Sequence, residues 1–147
     1  MAFDVQLNLP SGWQKDLETY VDETGPEITH LEAHLYNART LADEGLIDIY
    51  VGEMPDGETA EDQAMSNYVD IVGFDDDDPE DFNPVTRIKF NGKSAYSFDA
   101  LCEDDSPMVF ISQEVKKGIL AVICCAAKDE RALASVVQLV ERNLRIK

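Results

Sequence analysis

The segment 119–127 constrains the fold more than any other part of this chain. It reads Ile-Leu-Ala-Val-Ile-Cys-Cys-Ala-Ala, so apolar residues occupy both sets of alternating positions. A short apolar run of this kind, preceded by a turn, is typical of a strand at the centre of a sheet that is covered on both faces. Because Lys117-Gly118 provides the turn, we predict a β-hairpin over residues 108–127, with this segment as its second strand.

Another hairpin is predicted over residues 85–100. Its turn is Asn91-Gly92, which is the strongest short hairpin signal because both residues tolerate a positive φ. Two upstream segments also indicate strands. Residues 3–9 alternate apolar and polar side chains, and residues 46–54 are rich in β-branched and aromatic side chains.

Residues 28–42 fit two patterns. Some of their apolar residues lie at helical spacing, and Thr24 with Glu27 fits a capping box. Apolar and polar residues also alternate over positions 30–35, as they do in a half-buried strand. We favour the strand, over residues 28–37.

Two helices are predicted. The first begins after the N-cap residue Thr59, has Glu61 and Asp62 in its first turn and stops at Gly73. Its apolar face consists of Ala64, Met65, Tyr68 and Val72. The second begins after Asp129 and runs to the C-terminus. Its apolar stripe consists of Leu133, Val136, Val137, Val140 and Leu144. We expect three basic residues in its final turns, near the negative end of the helix dipole: Arg142, Arg145 and Lys147.

The order of these elements predicts one α+β domain over residues 1–147. Long antiparallel hairpins between helices indicate a central antiparallel sheet of about six strands sandwiched by helices, rather than a doubly wound parallel sheet. A chain of 147 residues, 44% of them hydrophobic, has the size and composition for one continuous core. We expect Trp13 to anchor the packing after the opening strand.

The chain is strongly acidic, with 30 Asp and Glu against 12 Lys and Arg and a formal net charge of -18. Nucleic-acid binders neutralise phosphates with clustered Lys and Arg, so this composition argues against nucleic acid and anionic membrane surfaces as partners. A partner that is steered by electrostatics should be a basic protein, although net charge also serves solubility alone. The sequence does not indicate an oligomeric state.

Signals of cellular location favour the cytoplasm. The longest apolar run, residues 118–127, is far shorter than the ~20 residues that a membrane-spanning helix needs. The N-terminus lacks the basic and apolar regions of a secretory signal. The three cysteines form no C-x-x-C spacing, and the adjacent Cys124 and Cys125 point to opposite faces of a strand. Free thiols of this kind fit a reducing compartment, so we predict a cytoplasmic protein.

The two histidines, His30 and His34, are candidate metal ligands. On a helix they would lie one turn apart and could share an ion, whereas on a strand they would be ~13 Å apart, which is too far. Glu32 lies on the same strand face, but no third ligand is evident, and a metal site usually needs three or four protein ligands. We therefore expect surface histidines and no metal or other cofactor.

An acidic segment follows the first predicted helix. Its carboxylates are Asp75, Asp76, Asp77, Asp78, Glu80 and Asp81. It does not fit a calcium loop, because Pro79 stands at the third ligand position and no glycine supplies the sharp turn. Blocks of like charge repel and stay solvated, so the segment is either a wet connection or, alternatively, a docking site for a basic partner or a weak cation site. These six residues are our candidate partner-binding loop.

Catalytic motifs are absent from the sequence. It has no Gly-x-Ser-x-Gly elbow, and a phosphate-binding loop would need a glycine where Arg87 stands. The acidic residues that follow Cys102 should raise the pKa of its thiol rather than activate it. We therefore predict that the chain is not an enzyme. The alternative is a small-molecule-binding protein or weak hydrolase with an aromatic cleft near Tyr50 and Tyr96.

The order of elements and several local patterns resemble the Mog1/PsbP-like family, as a small bacterial member. The patterns are Leu9-Pro10-Ser11-Gly12-Trp13, Ile47-Asp48-Ile49-Tyr50-Val51-Gly52, Asn91-Gly92-Lys93-Ser94-Ala95-Tyr96 and the closing amphipathic helix. The resemblance is topological, spans nearly the whole chain and supports the strand over residues 28–37. It implies an antiparallel sheet between helices.

The same resemblance implies a role without catalysis. Members of that family bind the Ran GTPase, support photosystem II or act as chaperones for bacterial effectors. We therefore expect a protein-binding domain of adaptor or chaperone type. No individual residue is carried over from the family as a binding residue, and the candidate acidic loop rests on charge alone.

Overall fold

The computed structural model describes residues 5–9, 13–21, 27–35, 45–54, 57–71, 85–101 and 106–146. Within these ranges the chain forms nine strands and two helices. In chain order they are β1 (Val5–Leu7), β2 (Trp13–Val21), β3 (Glu27–Leu35), β4 (Leu46–Glu53), α1 (Ala60–Ile71), β5 (Thr86–Phe90), β6 (Lys93–Leu101), β7 (Pro107–Lys116), β8 (Ile119–Ala126), α2 (Glu130–Asn143) and β9 (Leu144–Ile146). Neither of these helices is long and apolar enough to cross a membrane.

Seven of the described strands form one antiparallel sheet in the order β2-β3-β4-β8-β7-β6-β5. β8, which is apolar on both faces, takes the middle position, so the prediction of a central covered strand is confirmed. The α+β class and the antiparallel sheet are also confirmed. The expected count of about six strands is too low, because β2 pairs along the whole of β3 as a further edge strand.

The two helices cover opposite faces of this sheet. Neighbouring residues of a strand point to opposite sides, as Ile111 and Ser112 do on β7. The Ser112 hydroxyl donates to the Ala60 carbonyl of α1 at 2.9 Å, whereas Ile111 belongs to the core that contains Val136 and Val140 of α2. We call these sides the α1 face and the α2 face. The smaller core, on the α1 face, contains Ala64, Tyr68, Val85, Phe98 and Phe110.

Both predicted hairpins are confirmed. β5 and β6 join through Asn91 and Gly92, whose φ angles are 55° and 83°. β7 and β8 join at Gly118, whose φ is 77°. The buried Gln113 side chain donates from Nε2 to the Phe90 carbonyl at 2.8 Å, which ties the first hairpin to β7.

The first predicted helix is α1, and the reciprocal bonds of its N-terminus confirm Thr59 as the cap. The Thr59 hydroxyl accepts from the Asp62 N–H at 3.1 Å, and the Asp62 carboxylate accepts from the Thr59 N–H at 3.0 Å. These two bonds satisfy donors that a helix start would otherwise leave unpaired. The predicted stop at Gly73 lies outside the described residues.

The C-terminal helix begins as predicted but ends sooner. The Asp129 carboxylate accepts from the Ala132 N–H at 2.8 Å and caps α2. Leu144 turns extended, with φ -81° and ψ 130°, and starts β9, which pairs with β1 at Leu7.

Arg142 lies in the last turn of α2, whereas Arg145 lies on a strand, so its predicted helical position was wrong. Both Leu7 and Leu144 are buried in the core on the α2 face, and this burial favours the strand pair over further helix. Lys147 lies outside the described residues.

The opening segments show one partial and one missed prediction. The strand expected over residues 3–9 is described as β1, Val5–Leu7, and it belongs to the two-stranded sheet with β9 rather than to the main sheet.

The strand interpretation of 28–37 is confirmed over Ile28 to Leu35 by β3. β2 was not predicted, because its sequence is mostly charged and polar, which suits an edge strand. Trp13, at its start, packs against the core on the α2 face as expected.

Candidate functional site

Polar side chains from β3 and β4 share one face of the main sheet. The two strands are antiparallel, with His30 opposite Tyr50 and Glu32 opposite Asp48. Because side chains alternate along a strand, these four positions point to the same side. It is the α1 face, since the row that contains Asp48 continues through Cys124 to Phe110.

Three of these side chains bring ligand atoms together. One atom each from His30, Glu32 and Asp48 can be chosen so that all lie within 4.8 Å of one another. The His30 Nε2 and Asp48 Oδ1 atoms are 3.0 Å apart, which is hydrogen-bond distance. We call these three residues the imidazole–carboxylate cluster.

The ring of His30 is held in a fixed plane. It stacks on the ring of Tyr50 with centroids 4.1 Å apart and an angle of 2° between the planes. His30 is only 9% exposed, so the expectation of a surface histidine is wrong at this position. Glu32 is exposed to solvent and Asp48 is half-buried. The cluster therefore has a buried, stacked imidazole on one side and a solvent-exposed carboxylate on the other.

Backbone register concentrates acidic positions beside this cluster. Asp16 of β2 pairs with Glu32, and Glu32 pairs with Asp48, so three adjacent strands place acidic residues in one row. Like charges directly opposite each other destabilise a sheet. On the same face, the flanking positions along these strands are Gln14, Glu18, His30, His34, Leu46 and Tyr50. No lysine or arginine stands among those described positions.

His30 and Glu32 were predicted to share a strand face, whereas Asp48 was not predicted as a member of this cluster. His30 and His34 lie on a strand and share a face, as the strand interpretation requires, but His34 is opposite Leu46 and is not in the cluster. Asp48 was missed because only the register of β3 against β4 places it beside Glu32. A weak signal exists in the sequence, since Asp48 is the one charged residue within the strand core of 46–52.

The thiols of β8 are not poised for nucleophilic chemistry. Burial and, to a lesser degree, the nearby Asp48 carboxylate raise the pKa of Cys124 to about 12. Burial also raises the pKa of Cys125, with smaller contributions from Cys124 and Asp48. Both residues are free cysteines. At neutral pH they therefore stay protonated, and a thiol is a poor nucleophile.

Tyr50 and Tyr96 lie on the same face but are not neighbours. In cross-strand register Tyr50 is followed by Val122, Ser112 and then Tyr96, so two strands separate them. A cleft of about 160 Å³ opens elsewhere. Its lining residues are Phe90, Asn91, Lys93, Gln113, Val115, Leu144, Arg145 and Ile146. The aromatic-cleft alternative stays a prediction.

Two candidates from the sequence fall outside the described residues. The acidic loop of residues 75–81 lies in the gap between α1 and β5, and Cys102 lies between β6 and β7. Their roles remain predictions that rest on the sequence.

The fold and the cluster together define an antiparallel α+β domain that carries a mixed imidazole–carboxylate group on one sheet face. Comparison of the chain with protein families, curated proteins and solved structures gave no match. The resemblance to the Mog1/PsbP-like family therefore stays a prediction.

Proposed function

We propose that this chain is a protein-binding domain of adaptor or chaperone type that acts without catalysis and binds a basic protein partner. The observation that carries the proposal is the large acidic excess, a formal net charge of -18. Such a field attracts a cationic surface and repels phosphate backbones. The proposal also places the protein in the cytoplasm, as its thiols and its sequence suggest.

The outward face of α1 supports this proposal. Its exposed carboxylates, with the one just before the helix, are Glu58, Glu61, Asp62 and Asp70. α1 contains no lysine or arginine, whereas the exposed side of α2 carries both signs, with Glu130, Arg131 and Arg142. The candidate acidic loop, residues 75–81, follows α1 in the sequence.

The interior supports the non-catalytic part of the proposal. Two buried polar side chains of the described core serve structure: Ser112 bonds the Ala60 carbonyl and Gln113 bonds the Phe90 carbonyl. The thiol of Cys124 is held protonated at neutral pH. Side chains that are buried in structural hydrogen bonds, and a thiol that stays protonated, are poor candidates for proton transfer or covalent catalysis.

The proposal is tested with charge variants, of which the α1 variant and the control each lose three negative charges. One variant neutralises Asp75 to Asp78 of the loop to Asn, and another carries Glu58→Gln, Glu61→Gln and Asp70→Asn on α1, keeping Asp62 for the cap. A control carries Glu53→Gln, Asp99→Asn and Glu130→Gln, which neutralises three exposed carboxylates elsewhere. Partners are captured from a cell extract, identified and re-measured as purified proteins at low and high salt.

We expect a basic partner whose affinity falls with added salt and falls further in the loop or α1 variant than in the control. If all variants bind the partner with equal affinity, the loop and α1 carboxylates serve solubility and not binding. A purified partner that is acidic, or binding that is indifferent to salt, would overturn the proposal.

A further inference from the structure

We propose that His30, Glu32 and Asp48 form a binding site for a divalent transition-metal ion of the Zn²⁺ type. This inference goes beyond protein binding and does not depend on it. It rests on the meeting of three ligand side chains on one sheet face, on the fixed plane of the imidazole and on the row of acidic positions in register.

The distances fit one shared ion. Two ligand atoms that each lie about 2.1 Å from an ion are separated by about 3.0 to 3.4 Å in octahedral or tetrahedral geometry. His30 Nε2 and Asp48 Oδ1 are 3.0 Å apart, a separation that two ligands of one ion can have. The ion would lie to one side of the line that joins these atoms, so the Asp48 carboxylate must turn when the ion displaces the shared proton. A carboxylate oxygen of Glu32 lies within 4.8 Å of the ligand atoms of His30 and Asp48. Because this side chain is exposed, a change of rotamer that moves the oxygen by about 1 to 2 Å would complete the set of ligands.

The scaffold prepares the site for an ion. His30 is held by its stack on Tyr50 at 4.1 Å, so its ring loses little freedom when it binds. The three ligands come from two hydrogen-bonded strands, which position side chains more firmly than loops do. Glu32 is exposed, so this ligand of the cluster is accessible from solvent.

The charge around the site favours a cation. In cross-strand register, Glu32 and Asp48 occupy one row. Like charges in such a row destabilise the sheet. A divalent cation bound to Glu32 and Asp48 removes that repulsion, so metal binding and the stability of this sheet edge are coupled.

The donor set selects the class of metal. One imidazole nitrogen with two carboxylate oxygens suits Zn²⁺, Mn²⁺, Co²⁺ or Ni²⁺, whereas Mg²⁺ and Ca²⁺ prefer all-oxygen sites. Zn²⁺ is the probe of choice because it accepts four-coordinate sites with three protein ligands and one water.

The test is calorimetric titration of the full chain, freed of metal with a chelator, with ZnCl₂ in about 0.15 M NaCl to suppress non-specific binding. We expect one Zn²⁺ per chain, with affinity lowered about tenfold or more by Glu32→Gln and by Asp48→Asn. Glu53→Gln is the matched control, because it removes one exposed carboxylate from the same strand pair and points to the other face. We expect its affinity to stay within about twofold of wild type.

Imidazole nitrogen resonances provide a second readout. The chain has two histidines, so a His34→Gln variant assigns both signals. Zn²⁺ should shift the His30 Nε2 resonance and leave His34 unchanged. Because Glu32 is exposed, the Glu32→Gln variant should fold normally, which keeps the test valid even if substitution of the buried His30 unfolds the chain.

Several outcomes would overturn the proposal. They are equal Zn²⁺ affinity in wild type and Glu32→Gln, an unshifted His30 resonance at saturation, and equal affinity for Mg²⁺ or Ca²⁺. Loss of Zn²⁺ binding only when Asp75 to Asp78 are neutralised would also overturn it, because the ion would then sit in the acidic loop.

Discussion

Gly45 and Trp13 show how a single residue without a side chain decides the packing around it. Gly45 has a φ of 133°, which residues with a Cβ rarely adopt. A Cβ built there would lie 3.1 Å from Trp13 Cη2 and 3.4 Å from Val136 Cγ2. The indole thus packs directly over the backbone at the start of β4, and it connects β2 to α2 across the core.

Substitution Gly45→Ala should therefore destabilise the protein by about 2 kcal/mol or more, since it adds backbone strain and crowding against the indole. Gly118→Ala is the matched control, because Gly118 also has a positive φ of 77° but a Cβ at that position would have no neighbouring atom within 4 Å. Gly118→Ala should lower the unfolding free energy by about 1 kcal/mol, because it adds backbone strain without crowding. Denaturant unfolding measures both. Equal losses would contradict the close contact with Trp13.

The thiol of Cys124 gives a prediction about pH. Burial and Asp48 raise its pKa from 9.0 to about 12, so its reactive thiolate forms about a thousandfold less at a given pH near neutrality. In a Cys102→Ser background, a thiol reagent at neutral to mildly alkaline pH should modify the native protein about a thousandfold more slowly than the urea-unfolded chain. Reaction should accelerate as pH approaches 12. Rapid native labelling near neutral pH would show that the thiol is not buried as described.

At the scale of elements, one hydroxyl links α1 to the sheet. Ser112 is fully buried on β7, and its Oγ donates to the Ala60 carbonyl at the first residue of α1 at 2.9 Å. This bond holds the start of the helix over β7, next to the reciprocal cap that Thr59 and Asp62 form.

Ser112→Ala should therefore cost about 1 kcal/mol of unfolding free energy and lower hydrogen-exchange protection in α1 more than in α2. Ser135→Ala is the control, because Ser135 is exposed on α2 and bonds only the Arg131 carbonyl within its own helix at 3.3 Å. Ser135→Ala should lower the unfolding free energy by no more than about 0.5 kcal/mol. Uniform loss of protection over both helices would mean that the bond stabilises the whole fold rather than the docking of α1.

Elements with strong local signals could be predicted from the sequence, and elements that depend on distant partners could not. β8 is apolar on both faces and Asn91-Gly92 fixes a turn, so the hairpins and the central strand followed from local chemistry. β9 continues a helical apolar stripe, and only its pairing with β1 draws Leu144 out of the helix. The imidazole–carboxylate cluster has the same origin, since Asp48 meets His30 through the register of two strands.

At the scale of the whole molecule, charge opposes the compact state. A formal net charge of -18 is distributed over a surface of 9176 Å², and such an excess repels itself more strongly in the folded chain than in the expanded unfolded one. Acidic positions also lie opposite one another within the sheet, at Asp16, Glu32 and Asp48. The fold is held by two apolar cores in spite of this repulsion.

Added salt should therefore raise the melting temperature, because it screens the repulsion while leaving apolar burial intact. The measurement is thermal unfolding at NaCl concentrations from about 0.05 to about 0.5 M, a range over which the screening length falls about threefold. A chelator in the buffer keeps the chain free of metal ions. The variant that carries Glu58→Gln, Glu61→Gln and Asp70→Asn should respond less to salt than wild type, since part of the repulsion is already removed. A melting temperature that is independent of salt in wild type would show that the acidic surface is compensated in the folded state, and the electrostatic basis for attracting a cationic partner would be lost with it.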